Sequence, residues 1–364
     1  MRDADAAQLP DEHPVQLIDE HGSGKTHERY QAPSNESLLA SYAALVNGRR
    51  INEQCNALVR QGRLAVYPSS HGQEACQVAV AQVLGENDWL FPTYRDSVAV
   101  MSRGVSPEDT MVLLRGDWHS GYDSRAHRVA PQATPLATQM LHAVGFAHAA
   151  KLRGEDTVVI AMCGDGATSE GDFHEAMNFA AVFGLAVVFF VQNNEFAISV
   201  PLSRQTAATS LAHKAIGYGM SGQRVDGNDT AAVLAVLNDA VDRAREGGGP
   251  TLIEAHTYRM QAHTNADDDT RYREREEVQR WVERDPLTRL GSYLREAGVL
   301  TSEHEEKFAA EAESIAAELR EAMNRDVVVE PEELFAHVYA TRPATLSAQW
   351  DLLQDEIART EASA

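Results

Sequence analysis

A Gly-Asp-Gly at positions 164–166 and an Asn-Asn at 193–194, with 26 residues (167 to 192) between them, constrain this chain more than any other feature. Asp156 to Cys163 (DTVVIAMC) reads as a buried strand, His174 to Phe183 (HEAMNFAAVF) as a helix, and Val187 to Val191 (VVFFV) as a second buried strand. Both motifs therefore leave the carboxyl ends of parallel strands, which is where doubly wound sheets bind ligands. There the Asp165 carboxylate, the Asn194 carboxamide and a main-chain carbonyl near Phe196 form an oxygen-only donor set. Such a set suits Mg²⁺ bridging a diphosphate. Gly166 and Ala167 are small enough for the backbone to approach that diphosphate closely. The plainer alternative is an Asp that caps a helix and an Asn pair in a loop.

The rest of the chain alternates strands with helices. Trp89–Phe91, Gly222 to Val225 and Thr251 to His256 read as strands; Asn35 to Gly62, His71 to Leu84, Leu136 to Arg153 and Thr230 to Arg245 read as helices. Residues 116–134 lack periodicity and read as a functional loop, and 262–273, with three consecutive aspartates, is too polar for a core element. The pattern implies an α/β fold: a doubly wound, mainly parallel sheet with helices on both faces and a helical C-terminal region. The expected division is a mobile acidic arm over 1–34, a cofactor-binding domain over 35–300 and a helical extension over 301–364. A net charge of -22 argues against nucleic-acid binding and requires positive charge to be concentrated wherever an anion sits. No run of 18 apolar residues marks a membrane span. The N-terminal stretch resembles neither a signal nor a transit peptide, and Cys55, Cys76 and Cys163 have no metal-site spacing; a cytoplasmic location is expected. Gly22 to Thr26 (GSGKT) imitates the end of a phosphate loop, but Asp19 stands where that pattern needs Gly, and no strand precedes it.

Further blocks share the order of one family: Arg60 to Arg63 (RQGR), Ser69 to Ala75 (SSHGQEA), Phe91 to Asp96 (FPTYRD), Thr134 to Gln139 (TPLATQ), Arg224 to Asp229 (RVDGND), Pro250 to Glu254 (PTLIE), and Thr257 to Arg259 followed by His263. With the central signature, the chain resembles the alpha chain of the decarboxylating, thiamine diphosphate-dependent component of 2-oxo acid dehydrogenase complexes. It is most similar to branched-chain and bacterial pyruvate members, and lacks the Gly- and Lys-rich insertion of the mitochondrial pyruvate type.

The resemblance implies an α2β2 heterotetramer with thiamine diphosphate and Mg²⁺ between an alpha and a beta chain. It also implies acyl transfer to the lipoyl group of the acyltransferase component. On this reading Gly164, Asp165, Gly166, Ala167 and Asn194 hold the cofactor and its metal, with Phe196 supplying a carbonyl. Tyr94 and Arg95 touch the diphosphate, while Thr134 and Leu136 lie near the aminopyrimidine. His263 stands beside the diphosphate and the substrate. His71, which precedes a helix, either faces the substrate channel or serves as a cap. Branched-chain 2-oxo acids such as 3-methyl-2-oxobutanoate are the first substrate expectation, pyruvate the second and acetoin the third. A non-catalytic partner chain is the reading from another class. Two departures stand out: Gln192 sits where some relatives carry a phosphate-contacting Arg, and Thr264 where mitochondrial relatives carry a regulatory Ser.

Overall fold

The computed structural model describes residues 9–11, 13–116, 120–326 and 330–363. Five strands form one all-parallel sheet: β1 (Trp89–Phe91), β2 (Val159–Gly164), β3 (Val187–Asn193), β6 (Ser221–Asp226) and β7 (Thr251–His256), in the order β1-β2-β3-β7-β6. Between β3 and β6, a two-stranded antiparallel hairpin is made by β4 (Phe196–Ala197) and β5 (Val200–Pro201). The central strands are apolar throughout because both faces are covered. On one face Ile160, Met162, Val188, Phe190 and Ile253 pack against the helices Asn35–Arg60, Glu74–Val83 and Thr230–Arg245. On the other, Val159, Ala161, Cys163, Phe189 and Val191 pack against Thr138–Arg153 and Gly171–Phe183. Alternate residues of each strand thus serve opposite layers, as the period of two requires.

Strand register decides which loops meet. Gly164 at the end of β2 pairs with Gln192 of β3, and Asn193 pairs with His256 of β7. Asp165, Asn194 and the segment after His256 therefore emerge side by side at one end of the sheet. The expected strands and helices recur with ends shifted by a few residues, as usual at frayed termini. After the hairpin, a 3₁₀ turn (Leu211–His213) runs into the short helix Lys214–Tyr218.

Two expectations about organisation need correction. The segment from Val15 to Tyr30 is not a free arm: Val15, Leu17, Ile18 and Tyr30 are buried, and Val15 bridges to Val225 of edge strand β6. Val15 donates to the Arg224 carbonyl at 3.0 Å and accepts from Asp226 N at 3.1 Å, an apolar anchor masked in the sequence by its polar neighbours. The GSGKT decoy is a turn, in which Ile18 bridges back to Gly24. At the other end the chain divides into two compact units after Met323, not at 300. Ala312, Ala316 and Leu319 of the helix Ser302–Asn324 are buried, so that helix belongs to the first unit. The second unit carries the helices Glu333–Ala336 and Ala344–Ser363, with Phe335 set edge-on to Trp350. No helix among the described residues is long and apolar enough to cross a membrane. All three cysteines are buried and free.

Candidate active site

A cavity of about 640 Å³ opens at the carboxyl ends of β1, β2, β3 and β7. Its wall includes Tyr94, Arg95, Thr134, Leu136, Gly164, Asp165, Gly166, Ala167, Asn194, Phe196 and His263, so every cofactor- and metal-site position expected from sequence lines one space. His71 is not part of that wall. Its Nδ1 lies 3.1 Å from Gln261 Nε2 and its Nε2 lies 3.9 Å from Asp285, which places it behind the site.

Three oxygens converge at the cavity floor. Asn194 Oδ1 lies 3.3 Å from Asp165 Oδ1 and 3.1 Å from the Phe196 carbonyl oxygen, while Asn194 Nδ2 donates to Gln73 Oε1 at 3.0 Å. These three acceptors have no proton to share among themselves, although Asn194 Oδ1 also accepts from the Phe196 main-chain N–H at 3.3 Å. Turning the carboxamide over would supply one; with the oxygen inward, the space between them suits a hard cation. Burial raises the Asp165 carboxyl above its ordinary value, against a 2.6 Å hydrogen bond from Gln205 Nε2 that favours the charge. Gly166 keeps the floor open: a Cβ there would meet Ala197 Cβ at 2.7 Å.

The wall above is cationic. Arg95 donates to the Ser69 carbonyl at 2.8 Å and the His263 carbonyl at 3.1 Å, and Arg259 donates to the Ile198 carbonyl at 2.8 Å. The groups they meet are carbonyls, a phenol and a ring nitrogen rather than carboxylates, which leaves positive charge to meet an anion. Burial, and then repulsion from Arg95, lowers the Arg259 pKa. The two guanidiniums also set the state of His263: Arg95 Nη2 lies 3.1 Å and Arg259 Nη1 3.3 Å from its Nδ1. A nitrogen facing two obligate donors must accept, so the ring is neutral with its proton on Nε2. Burial, then Arg95 and Arg259, push its pKa down to about 4. The His263 main chain is held by Asp267 Oδ2 at 2.8 Å.

The depressed pKa makes stability depend on pH. The unfolded imidazole takes up a proton near its ordinary 6.5, whereas the folded one resists until about 4. His263 therefore contributes stability above pH 6.5 that is lost as pH falls towards 4. Urea unfolding between these limits should show a stability loss that is smaller in His263→Gln; parallel profiles would refute the assignment.

Strained backbone lines the same cavity. Ala137 and Ile198 adopt φ values of 62° and 56°, and Glu195, beside Asn194, adopts 70°. For a β-branched residue such as Ile198 this is an outlier, and such strain gathers at functional sites. Sequence reasoning assigned no role to Gln73, Gln205 or Arg259. Arg259 belongs to the Thr257 to Arg259 block that marks the family, but nothing local marks Gln205, which reaches Asp165 from 40 residues away.

A parallel sheet with a cation-ready floor and a guanidinium wall at its carboxyl ends is the frame of a diphosphate-cofactor enzyme. The chain belongs to the dehydrogenase E1 component family, whose model matches residues 43–331. It is 49% identical over 349 residues to the 3-methyl-2-oxobutanoate dehydrogenase subunit alpha of Mycobacterium tuberculosis, covering 96% of this chain and 95% of that protein. It is 37% identical over 318 residues to the 2-oxoisovalerate dehydrogenase subunit alpha of Bacillus subtilis, covering 84% and 96%. It is 36% identical over 345 residues to the pyruvate dehydrogenase E1 component subunit alpha of Staphylococcus aureus, covering 94% and 93%.

Proposed function

We propose that this chain is the alpha subunit of a thiamine diphosphate-dependent 2-oxo acid dehydrogenase that decarboxylates branched-chain 2-oxo acids and passes the acyl group to a lipoyl acceptor. The observation that carries the reading is the convergence of Asp165 Oδ1, Asn194 Oδ1 and the Phe196 carbonyl beneath Arg95 and Arg259. Those oxygens would hold Mg²⁺, and the guanidiniums with Tyr94 would take the diphosphate. Bound thiamine diphosphate supplies a nucleophilic carbon and a sink for the electron pair left when CO₂ departs.

This chain's residues do the rest. Arg95 and Arg259 neutralise the diphosphate and fix its position. Leu136, 46% exposed at the cavity mouth, offers an apolar wedge for the aminopyrimidine beside Thr134. His263, protonated on Nε2, donates a hydrogen bond to a phosphate or substrate oxygen. An anion held against the guanidiniums would offset their charge and raise the proton affinity of His263, so it can also hold a proton during acyl transfer. Val66, Leu114 and Ile198 give the cavity an aliphatic wall that suits a branched side chain. A partner beta chain supplies the pyrimidine-activating carboxylate, and the assembled α2β2 tetramer works with the acyltransferase component in the cytoplasm.

The relative named for pyruvate favours a second reading, pyruvate as substrate, on the same site residues. The decisive experiment is co-purification with the beta chain, then ferricyanide-coupled turnover of 3-methyl-2-oxobutanoate and pyruvate with thiamine diphosphate and Mg²⁺. The expected result is a several-fold higher kcat/KM for the branched acid. A preference for pyruvate transfers the chain to the second reading, and no turnover of either by an intact tetramer overturns both.

A further inference from the structure

Asn194 can present either its oxygen or its NH₂ to Asp165 and the Phe196 carbonyl, and only the first leaves a cation site. The structure contains a device that decides between them. Asp96 is fully buried, and its Oδ2 accepts from Thr93 N and Thr93 Oγ1, both at 2.7 Å. Its Oδ1 accepts from Gln192 Nε2 at 2.6 Å. Gln192 must then turn its Oε1 the other way, where Gln73 Nε2 donates at 3.2 Å and Gln77 Nε2 approaches at 3.5 Å. Gln73 in turn presents Oε1 to Asn194 Nδ2 at 3.0 Å, which leaves Asn194 Oδ1 facing Asp165. Gln192, Gln73 and Asn194 are 2%, 1% and 5% exposed, so water is poorly placed to substitute for a missing partner.

We infer that Asp96, Gln192 and Gln73 form a one-way amide relay whose function is to hold the Asn194 oxygen inward for the divalent cation. A carboxylate can only accept, so it sets the direction of the first amide, and each amide sets the next. Reversing Asn194 would require Gln73 and Gln192 to reverse too and would aim the Gln192 oxygen at Asp96. The relay also gives Gln192 a purpose at the position where some relatives carry Arg. These are positioning residues, since none of the three supplies a ligand itself. The inference rests on the proposed metal and cofactor reading of the site.

The test is Mn²⁺ affinity, read by electron paramagnetic resonance in the presence of thiamine diphosphate, on the full chain co-purified with its beta chain. Asp96→Asn removes the acceptor-only terminus: the Thr93 main-chain N–H claims the new amide's oxygen, so its NH₂ faces Gln192 and drives the relay into reverse. The expected result is a fall in Mn²⁺ affinity of roughly five- to thirtyfold, about the worth of one buried hydrogen bond. The double variant Asp96→Asn with Gln73→Glu moves the carboxylate to the other end while keeping the charge. A Glu at 73 accepts from Asn194 and from a reversed Gln192, so affinity should return to within a few-fold of the parent. A merely structural role for Asp96 would lower the melting temperature of the metal-free protein and leave Mn²⁺ affinity unchanged. That outcome, or failure of the double variant to recover affinity while it folds, overturns the relay. If the parent itself binds no Mn²⁺, the site reading fails instead.

Discussion

Asp165→Asn should abolish divalent-dependent cofactor binding and, at the same time, make the cofactor-free protein more stable. The two effects share one cause. Asp165 is 1% exposed, its pKa is raised by burial, and its one strong side-chain donor is Gln205. A folded-state pKa above the unfolded value means that the carboxyl contributes stability when protonated and loses it as pH rises through the folded value. At neutral pH the charge is thus a burden until a cation arrives. An amide in its place carries no charge, accepts from Gln205 through its oxygen, and points an NH₂ at Asn194 Oδ1, which lies 3.3 Å from Asp165 Oδ1. The gain should be about 1 kcal/mol, the scale of satisfying a buried polar group. The loss should exceed a hundredfold in Mg²⁺-dependent thiamine diphosphate affinity, because removing even an outer partner of a metal ligand costs about 10–100-fold. Calorimetric titration and a melt of the cofactor-free protein read the two effects separately. Parent-like affinity in the variant would remove Asp165 from the metal site. A drop in melting temperature would show that the carboxylate is satisfied in a way this geometry does not contain.

What the sequence made legible was whatever depends on short-range pattern. The apolar runs ending at Gly164 and Asn193 identify buried parallel strands, and strand ends place Asp165 and Asn194 together whatever the intervening helix does. Residues 134–139 and 257–263 could be tied to the site only through the family's block order, because no local rule brings Leu136 or His263 to that cavity. Hidden altogether were contacts set by tertiary packing. Gln205 reaches Asp165, Gln73 reaches Asn194, and the guanidinium of Arg259 meets the ring of His263, each through a side-chain choice that any polar residue could have made. The place of His71 outside the cavity wall was not legible either. His71 opens a turn in which Gly72 adopts φ 96° with no room for a Cβ beside the Tyr258 carbonyl, and the His71 Nδ1 lies 3.1 Å from Gln261 Nε2.

The same blindness to tertiary contact made the N-terminal segment look free, and it identifies the residue whose loss should cost most stability. Arg289, on the helix Pro286–Glu296, is 3% exposed and bonds Asp226 at 2.9 Å, reaches Asp229 at 3.5 Å and donates to the Ile18 carbonyl. Asp229 also accepts from the main chain of Leu17 and Ile18 at 2.7 Å each and caps the helix Thr230–Arg245 through Ala232 N at 3.1 Å. One guanidinium thus serves a buried carboxylate, Asp229, and a half-buried one, Asp226, and stitches the N-terminal segment to the end of β6. Burial, moderated by Arg289 and reinforced by Asp226, pushes the Asp229 pKa up to about 6. Burial pushes Asp226 up as well, but Arg289 and Gln16 outweigh it and the net shift is downward. Arg289→Leu should therefore destabilise the fold by about 3–5 kcal/mol at pH 8, the cost of leaving buried charge without its partner. Without Arg289 the Asp229 carboxyl keeps its proton to a higher pH than the parent's value of about 6, and a protonated carboxyl needs no counter-charge, so the deficit should shrink as pH falls towards 6. Urea unfolding at pH 8 and pH 5.5 tests both parts. A deficit below 1 kcal/mol, or one equal at both pH values, would mean that packing rather than charge holds this segment to the sheet.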